Sequence, residues 1–165
     1  MGSGKSTLGK ALNKAKAIPF IDLDDYLTVR VGKPISHIFD EGGEKLFRKL
    51  EREALLSLIE AKPQNLLLAC GGGTPCFGDN MELINQAGSS IYLKNTVDTL
   101  YHRLLPQKDQ RPLIKDLSDR ELWDFIEFLL QKREPYYLKA THVLSAELQH
   151  VAHIHSLLAD PNYKN

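Results

Sequence analysis

Met1-Gly2-Ser3-Gly4-Lys5-Ser6-Thr7 opens the chain, and the reading of these residues decides the fold. They match the second half of the pattern Gly-x-x-x-x-Gly-Lys-[Ser/Thr], a P-loop. In that loop backbone N–H groups cradle phosphate oxygens and the lysine reaches the outer phosphates. Gly4, Lys5 and Ser6 occupy its defined positions. The first glycine would fall two residues ahead of Met1, together with the buried strand that delivers such a loop. A glycine-lysine-serine turn at a helix start is weak evidence alone, so its meaning depends on the residues downstream.

Working outward, periodicity alternates between strand and helix, as in α/β proteins. Ser6 to about Ala15 predicts a helix leaving the glycine turn, its N-terminal amides and dipole aimed at phosphate. Ile18-Pro19-Phe20-Ile21 predicts a strand that delivers Asp22, Asp24 and Asp25 at its C-terminal tip. Glu44 to Ala61 places Phe47, Leu50, Ala54, Leu55, Leu58 and Ile59 on one helical stripe, with Pro63 beyond it. Leu66 to Cys70 is a continuous apolar run, as expected of a parallel strand covered on both faces, and it empties into Gly71-Gly72-Gly73.

Further on, Asp79 with Glu82 and Ser118 with Glu121 have the spacing of capping boxes. Ser90 to Leu93 and His142 to Ser145 predict two more strands. Helices are expected from Val97 to about Leu104, after Ser118, and along Leu148, Val151, Ile154, Leu157 and Leu158. Only Leu105 to Leu117 has linker character.

Composition limits the function. The chain has 165 residues, 42% hydrophobic and 25% charged, with a net charge of zero. That balance suits one soluble domain and offers neither the basic excess of a nucleic-acid binder nor an apolar run of membrane length. Cytoplasm is the expected compartment. Cys70 and Cys76 are too few and too close for a disulfide framework and are expected as free thiols. His150, His153 and His155 lie on a helix without an acid or thiol partner set, so they read as surface side chains.

Ligands of open α/β sheets collect at the C-terminal ends of strands. There lie the Gly4-Lys5-Ser6 turn, the Asp22/Asp24 pair and the triple glycine. To these the sequence adds Gly32-Lys33-Pro34-Ile35, Phe47-Arg48 with Glu51, Arg111-Pro112-Leu113 and Arg133-Glu134-Pro135-Tyr136-Tyr137. In this order and spacing, from Met1 to about Ser145, the chain resembles shikimate kinases, P-loop enzymes of the nucleoside-monophosphate-kinase-like group. The resemblance implies a three-layer αβα fold with a central parallel sheet of order 2-3-1-4-5. Its activity would be transfer of the γ-phosphoryl group of ATP to the 3-hydroxyl of shikimate.

Residue by residue, the resemblance implies ATP contacts from Gly2, Ser3, Gly4, Lys5, Ser6 and Thr7, with Arg103 near adenine. Ser6 and Asp22 would hold Mg²⁺. Asp24 would orient the substrate hydroxyl and be placed to take its proton. Arg48 and Arg133 would clamp the substrate carboxylate beside Gly71, Gly72 and Gly73, with Glu51 steering Arg48. Arg111 would reach the transferring phosphoryl group from a lid over about 105–117. Each assignment suits phosphoryl transfer, which needs positioning and charge neutralisation more than covalent chemistry. The alternative for Asp22, Asp24 and Asp25 is helix capping toward water. A monomer is expected, with no nucleic-acid or membrane partner.

Strand 1 of the resembling fold has no counterpart among the four strands read here. Without it, facing rows of N–H and C=O groups lack partners, each costing about 1 to 3 kcal/mol if buried, against a domain stability of about 5 to 15. A start assigned too late, with about 8 to 12 apolar residues ahead of Met1, is the expectation. Two other readings are a degenerate P-loop module serving as a binding remnant, and a kinase for another hydroxylated acceptor such as gluconate.

Overall fold

The computed structural model describes residues 1–63, 65–111 and 113–158. Gly4, with φ 91°, turns the chain into α1 (Lys5–Lys16), and the Leu8 amide donates to the Gly4 carbonyl at 2.9 Å. The helix leads to β1 (Phe20–Asp22), whose tip feeds α2 (Leu23–Val31). Gly9 is required here: a Cβ on it would overlap the Phe20 ring, so α1 could not lie this close to β1.

The helix α3 (Ile35–Glu60) is continuous in hydrogen bonding but broken at Gly43, whose φ of 62° and ψ of −161° are not helical. The stripe read from Glu44 is therefore the second arm of a longer element. Leu23, Leu27, Ile38, Phe47, Ala54 and Leu55 close this half of the core. Next come β2 (Leu67–Ala69), a 3₁₀ turn at Thr74–Cys76 and α4 (Asn80–Ala87). Asp79 precedes α4 but makes no side-chain cap; its carboxylate lies 2.6 Å from Arg52 on α3. An ionic partner from a distant helix has displaced the local capping box.

The second half holds β3 (Ile91–Leu93), α5 (Val97–Leu104), a 3₁₀ segment at Leu105–Gln110, α6 (Asp119–Tyr137), β4 (His142–Leu144) and α7 (Val151–Leu158). Ser118 and Glu121 form the predicted capping box of α6. Ile114, inside the expected lid, is wholly buried against Leu100, Leu104, Leu122 and Ile126. Pro112 lies outside the described residues.

Among the described residues the strands form two parallel pairs rather than one sheet. β1 pairs with β2 from Phe20↔Leu67 to Asp22↔Ala69, and β3 pairs with β4 from Ile91↔His142 to Leu93↔Leu144. β2 and β3 do not pair with each other. Both border an apolar cleft of about 1570 Å³, lined also by Leu8, Leu12 and Leu130, with Met1 among its lining residues. The order β1-β2, cleft, β3-β4 is the expected 2-3-1-4-5 arrangement with the middle position not taken by a strand.

Candidate active site

The glycine turn after β2 gathers the charged side chains. A Cβ on Gly71 would stand 3.2 Å from Glu51 Oε1, 3.2 Å from Thr74 Oγ1 and 3.5 Å from Asp24 Oδ1. One on Gly72 would lie 3.1 Å from Arg133 Nη1, and one on Gly73 would overlap the Arg48 guanidinium. Asp24 from α2, Arg48 from α3 and Arg133 from α6 thus converge on three consecutive residues. Gly73→Ala is expected to push Arg48 aside and weaken binding of an acidic ligand while sparing nucleotide binding, as separate titrations of the two would read.

Arg48 is held from its own helix, with Nη1 2.6 Å from Glu51 Oε2 and Nε 3.2 Å from Glu44 Oε1. Burial works against its charge, but Glu51 and Glu44 outweigh burial and raise its pKa. The cation is fixed and remains charged. Tyr137, one helical turn beyond Arg133, donates to the Gly72 carbonyl at 2.5 Å. Its ring lies against Tyr92 at 5.1 Å between centroids.

At the other end of this cluster stands the phosphate loop. Ser6 Oγ donates to Asp22 Oδ2 at 2.6 Å. Asp22 Oδ1 accepts from the Asp24 amide at 3.2 Å, so Asp22 caps α2 as well as meeting Ser6. The capping and functional readings of this residue are compatible. A hydroxyl and a carboxylate oxygen side by side are hard donors of the kind Mg²⁺ takes, with phosphate and water completing its shell.

Lys5 is partly buried, and burial lowers its pKa against the pull of Asp22, Cys70 and Asp24. Burial also raises the Asp24 pKa, joined by the charges of Asp22 and Glu51 and opposed by Lys5. Arg133 reaches the mouth of the loop, since the Gly72 Cβ position lies 3.1 Å from its Nη1 and 3.8 Å from the Met1 backbone nitrogen.

The other sequence-predicted residues surround this cluster. Arg103 Nη1 donates to the carbonyls of Gly2 at 3.4 Å and Ser3 at 3.3 Å and to Asn95 Oδ1 at 3.2 Å, bracing the loop from α5. Arg111 Nη2 donates to Gln107 Oε1 at 2.8 Å. Thr7 is exposed on the first turn of α1. Thr74, Asn80, Asn95 and Tyr137 received no role from sequence. The only signal for Thr74 was its place directly after the glycines.

A glycine turn and helix N-terminus for phosphate, two acids at a strand tip and an arginine fork across the same rim define a P-loop phosphotransferase site. A shikimate kinase family model matches residues 1–159. The chain is 44% identical to a shikimate kinase of Bacteroides thetaiotaomicron over 89% of this chain and 83% of that protein. It is 46% identical to one of Parabacteroides distasonis, over 89% and 84%. A crystal structure of shikimate kinase from Bacteroides thetaiotaomicron superposes with TM-score 0.88 at 40% identity, covering 97% of this chain and 94% of that one. A shikimate kinase from Acinetobacter baumannii in complex with shikimate gives TM-score 0.78 at 29% identity, covering 96% and 86%. The chain belongs to the shikimate kinase family.

Proposed function

We propose that this chain transfers the γ-phosphoryl group of ATP to the 3-hydroxyl of shikimate. The observation that carries this reading is the convergence of Asp24, Arg48 and Arg133 on Gly71 to Gly73. Two guanidinium groups beside bare backbone suit one carboxylate, because planar forks bind it bidentately. Asp24 then faces the hydroxyl end of the same small ring, where it orients the nucleophile and accepts its proton.

Lys5 and the amides of the loop hold the triphosphate, with Gly2, Ser3, Gly4, Ser6 and Thr7 around it. Ser6 and Asp22 would hold Mg²⁺, which supplies charge neutralisation between the outer phosphates. Arg103 keeps the loop in shape from its carbonyl side. Arg111 comes from the 105–117 lid, which closes over ATP and excludes water. The protein works as one domain, a monomer acting on free small molecules in the cytoplasm. No helix among the described residues is long and apolar enough to cross a membrane.

A coupled ADP-release assay with shikimate tests the reading. Turnover that requires shikimate supports it; nucleotide binding without turnover supports a remnant; turnover with gluconate but not shikimate moves the acceptor. Arg48→Ala is expected to raise KM for shikimate by roughly ten-fold or more, the size of a lost charge-assisted contact, and to leave KM for ATP in place. Equal loss for both substrates would remove Arg48 from the carboxylate clamp.

A further inference from the structure

Behind Arg48 runs a buried polar chain that links α3 to the far side of the glycine turn. Glu51 is 1% exposed, Thr74 fully buried and Asn80 1% exposed. The two Glu51 oxygens are divided: Oε2 takes Arg48 Nη1 at 2.6 Å, and Oε1 takes the Thr74 hydroxyl at 2.7 Å. Asn80 Nδ2 donates to the Thr74 carbonyl at 2.8 Å. Asn80 Oδ1 in turn accepts from Arg52 Nη1 at 2.6 Å. Arg52 also pairs with Asp79.

We propose that Thr74 and Asn80 are positioning residues that set the aim of the Arg48 fork, and with it the affinity for the acid substrate, by holding one oxygen of Glu51 away from Arg48. The inference rests on the reading of Arg48 as a carboxylate-binding group. A free carboxylate beside a guanidinium frequently takes it with both oxygens, in two parallel hydrogen bonds. Glu51 gives Arg48 one oxygen and Thr74 the other, while the Arg48 Nε is taken by Glu44. The Nη2 edge of Arg48 consequently lies over Gly73. Thr74 comes directly after the triple glycine, so one hydroxyl ties the turn that lines the site to the helix that carries the cation. Asn80 fixes the Thr74 backbone from α4, and Arg52 fixes Asn80. Buried, fully partnered networks of this kind rigidify what they touch.

With the hydroxyl gone, Glu51 is free to chelate Arg48 and turn its fork from the substrate. Thr74→Val is expected to weaken shikimate binding roughly ten-fold, the effect of one hydrogen bond to a charged group, with ATP affinity and kcat near those of the parent. Thr74→Ser keeps the hydroxyl and is expected to restore parental affinity. Asn80→Ala, which leaves the hydroxyl but loosens its backbone, is expected to fall between them. Calorimetric titration with shikimate and with ATP reads both affinities, and thermal melts confirm that each variant is folded.

A second readout needs no ligand: the Arg48 Nε–Hε NMR resonance, assigned through its loss in Arg48→Lys, is expected to shift in Thr74→Val and not in Thr74→Ser. Folded Thr74→Val and Asn80→Ala proteins with parental shikimate affinity and an unmoved Arg48 resonance would overturn the proposal. Should Thr74→Val not fold, an unchanged affinity and resonance in Asn80→Ala alone would do so. A parent protein that binds ATP but no shikimate would instead overturn the substrate assignment, and the resonance would still decide the relay.

Discussion

Replacing Asp24 by asparagine is expected to lower kcat by roughly 10²- to 10⁴-fold, the range a positioned general base contributes, while leaving the protein at least as heat-resistant at neutral pH. The two effects share one cause. Asp24 is held in a partly buried place beside Asp22 and Glu51, and burial and those charges raise its pKa above the ordinary aspartate value. Where the folded pKa of an acid is raised, the folded state prefers the protonated form. Its contribution to stability is then fully present below the unfolded pKa and is lost as pH rises through the folded pKa. At neutral pH the ionised carboxylate is thus a burden that asparagine removes. Catalysis has the opposite sign, since only the carboxylate accepts a proton. The acid limb of the kcat/KM profile, which reports the free enzyme, is expected to lie above the usual aspartate range and to vanish in Asp24→Asn. A variant with unchanged kcat, or one that melts well below the parent, would contradict the assignment.

The part of this site legible from pattern alone was the glycine loop, the acids at the tip of β1 and the triple glycine; Arg48 within α3 and Arg133 within α6 entered through the family resemblance. The continuous apolar run ending in three glycines marked β2 and the turn, and Ser118 caps α6 with its side chain as its spacing from Glu121 implied. The segment 23–42 was less readable. In α2 the acids Asp24 and Asp25 dilute the apolar stripe, and Gly42-Gly43 looks like a boundary although hydrogen bonding continues past it. That glycine pair does mark something physical, the non-helical dihedral at Gly43 that separates the two arms of α3. What local patterns could not carry were the distant polar pairings. Thr74 meets Glu51 across 23 positions, and Asp79 leaves its own helix for Arg52 on α3. Such pairs are selected by tertiary packing, which no capping rule or periodicity encodes.

Joining a β-branched, apolar segment of about nine residues ahead of Met1, ending in glycine and one further residue, is expected to raise the melting temperature by about 10 °C or more. At 2 to 4 °C per kcal/mol for a chain of this size, that asks for a net gain of about 3 to 5 kcal/mol. The cleft between β2 and β3 is the reason. Its walls carry Leu8, Leu12, Leu67, Ile91 and Leu130, and neither bordering strand is paired across it. Each edge amide or carbonyl shielded from water there without a partner costs about 1 to 3 kcal/mol. A strand running parallel to both neighbours would satisfy two edges at once and cover the apolar walls. The strands are parallel within each pair, and β2 ends at the glycine turn. Met1 also lines the cleft, so a strand joined there would pass into Gly2 and the phosphate loop. The same extension is expected to lower KM for ATP, because the loop would then be anchored from both ends. A polar segment of equal length and shuffled sequence serves as the control. Equal melting temperatures and equal KM values in the two extended proteins would mean that the cleft is not a strand site.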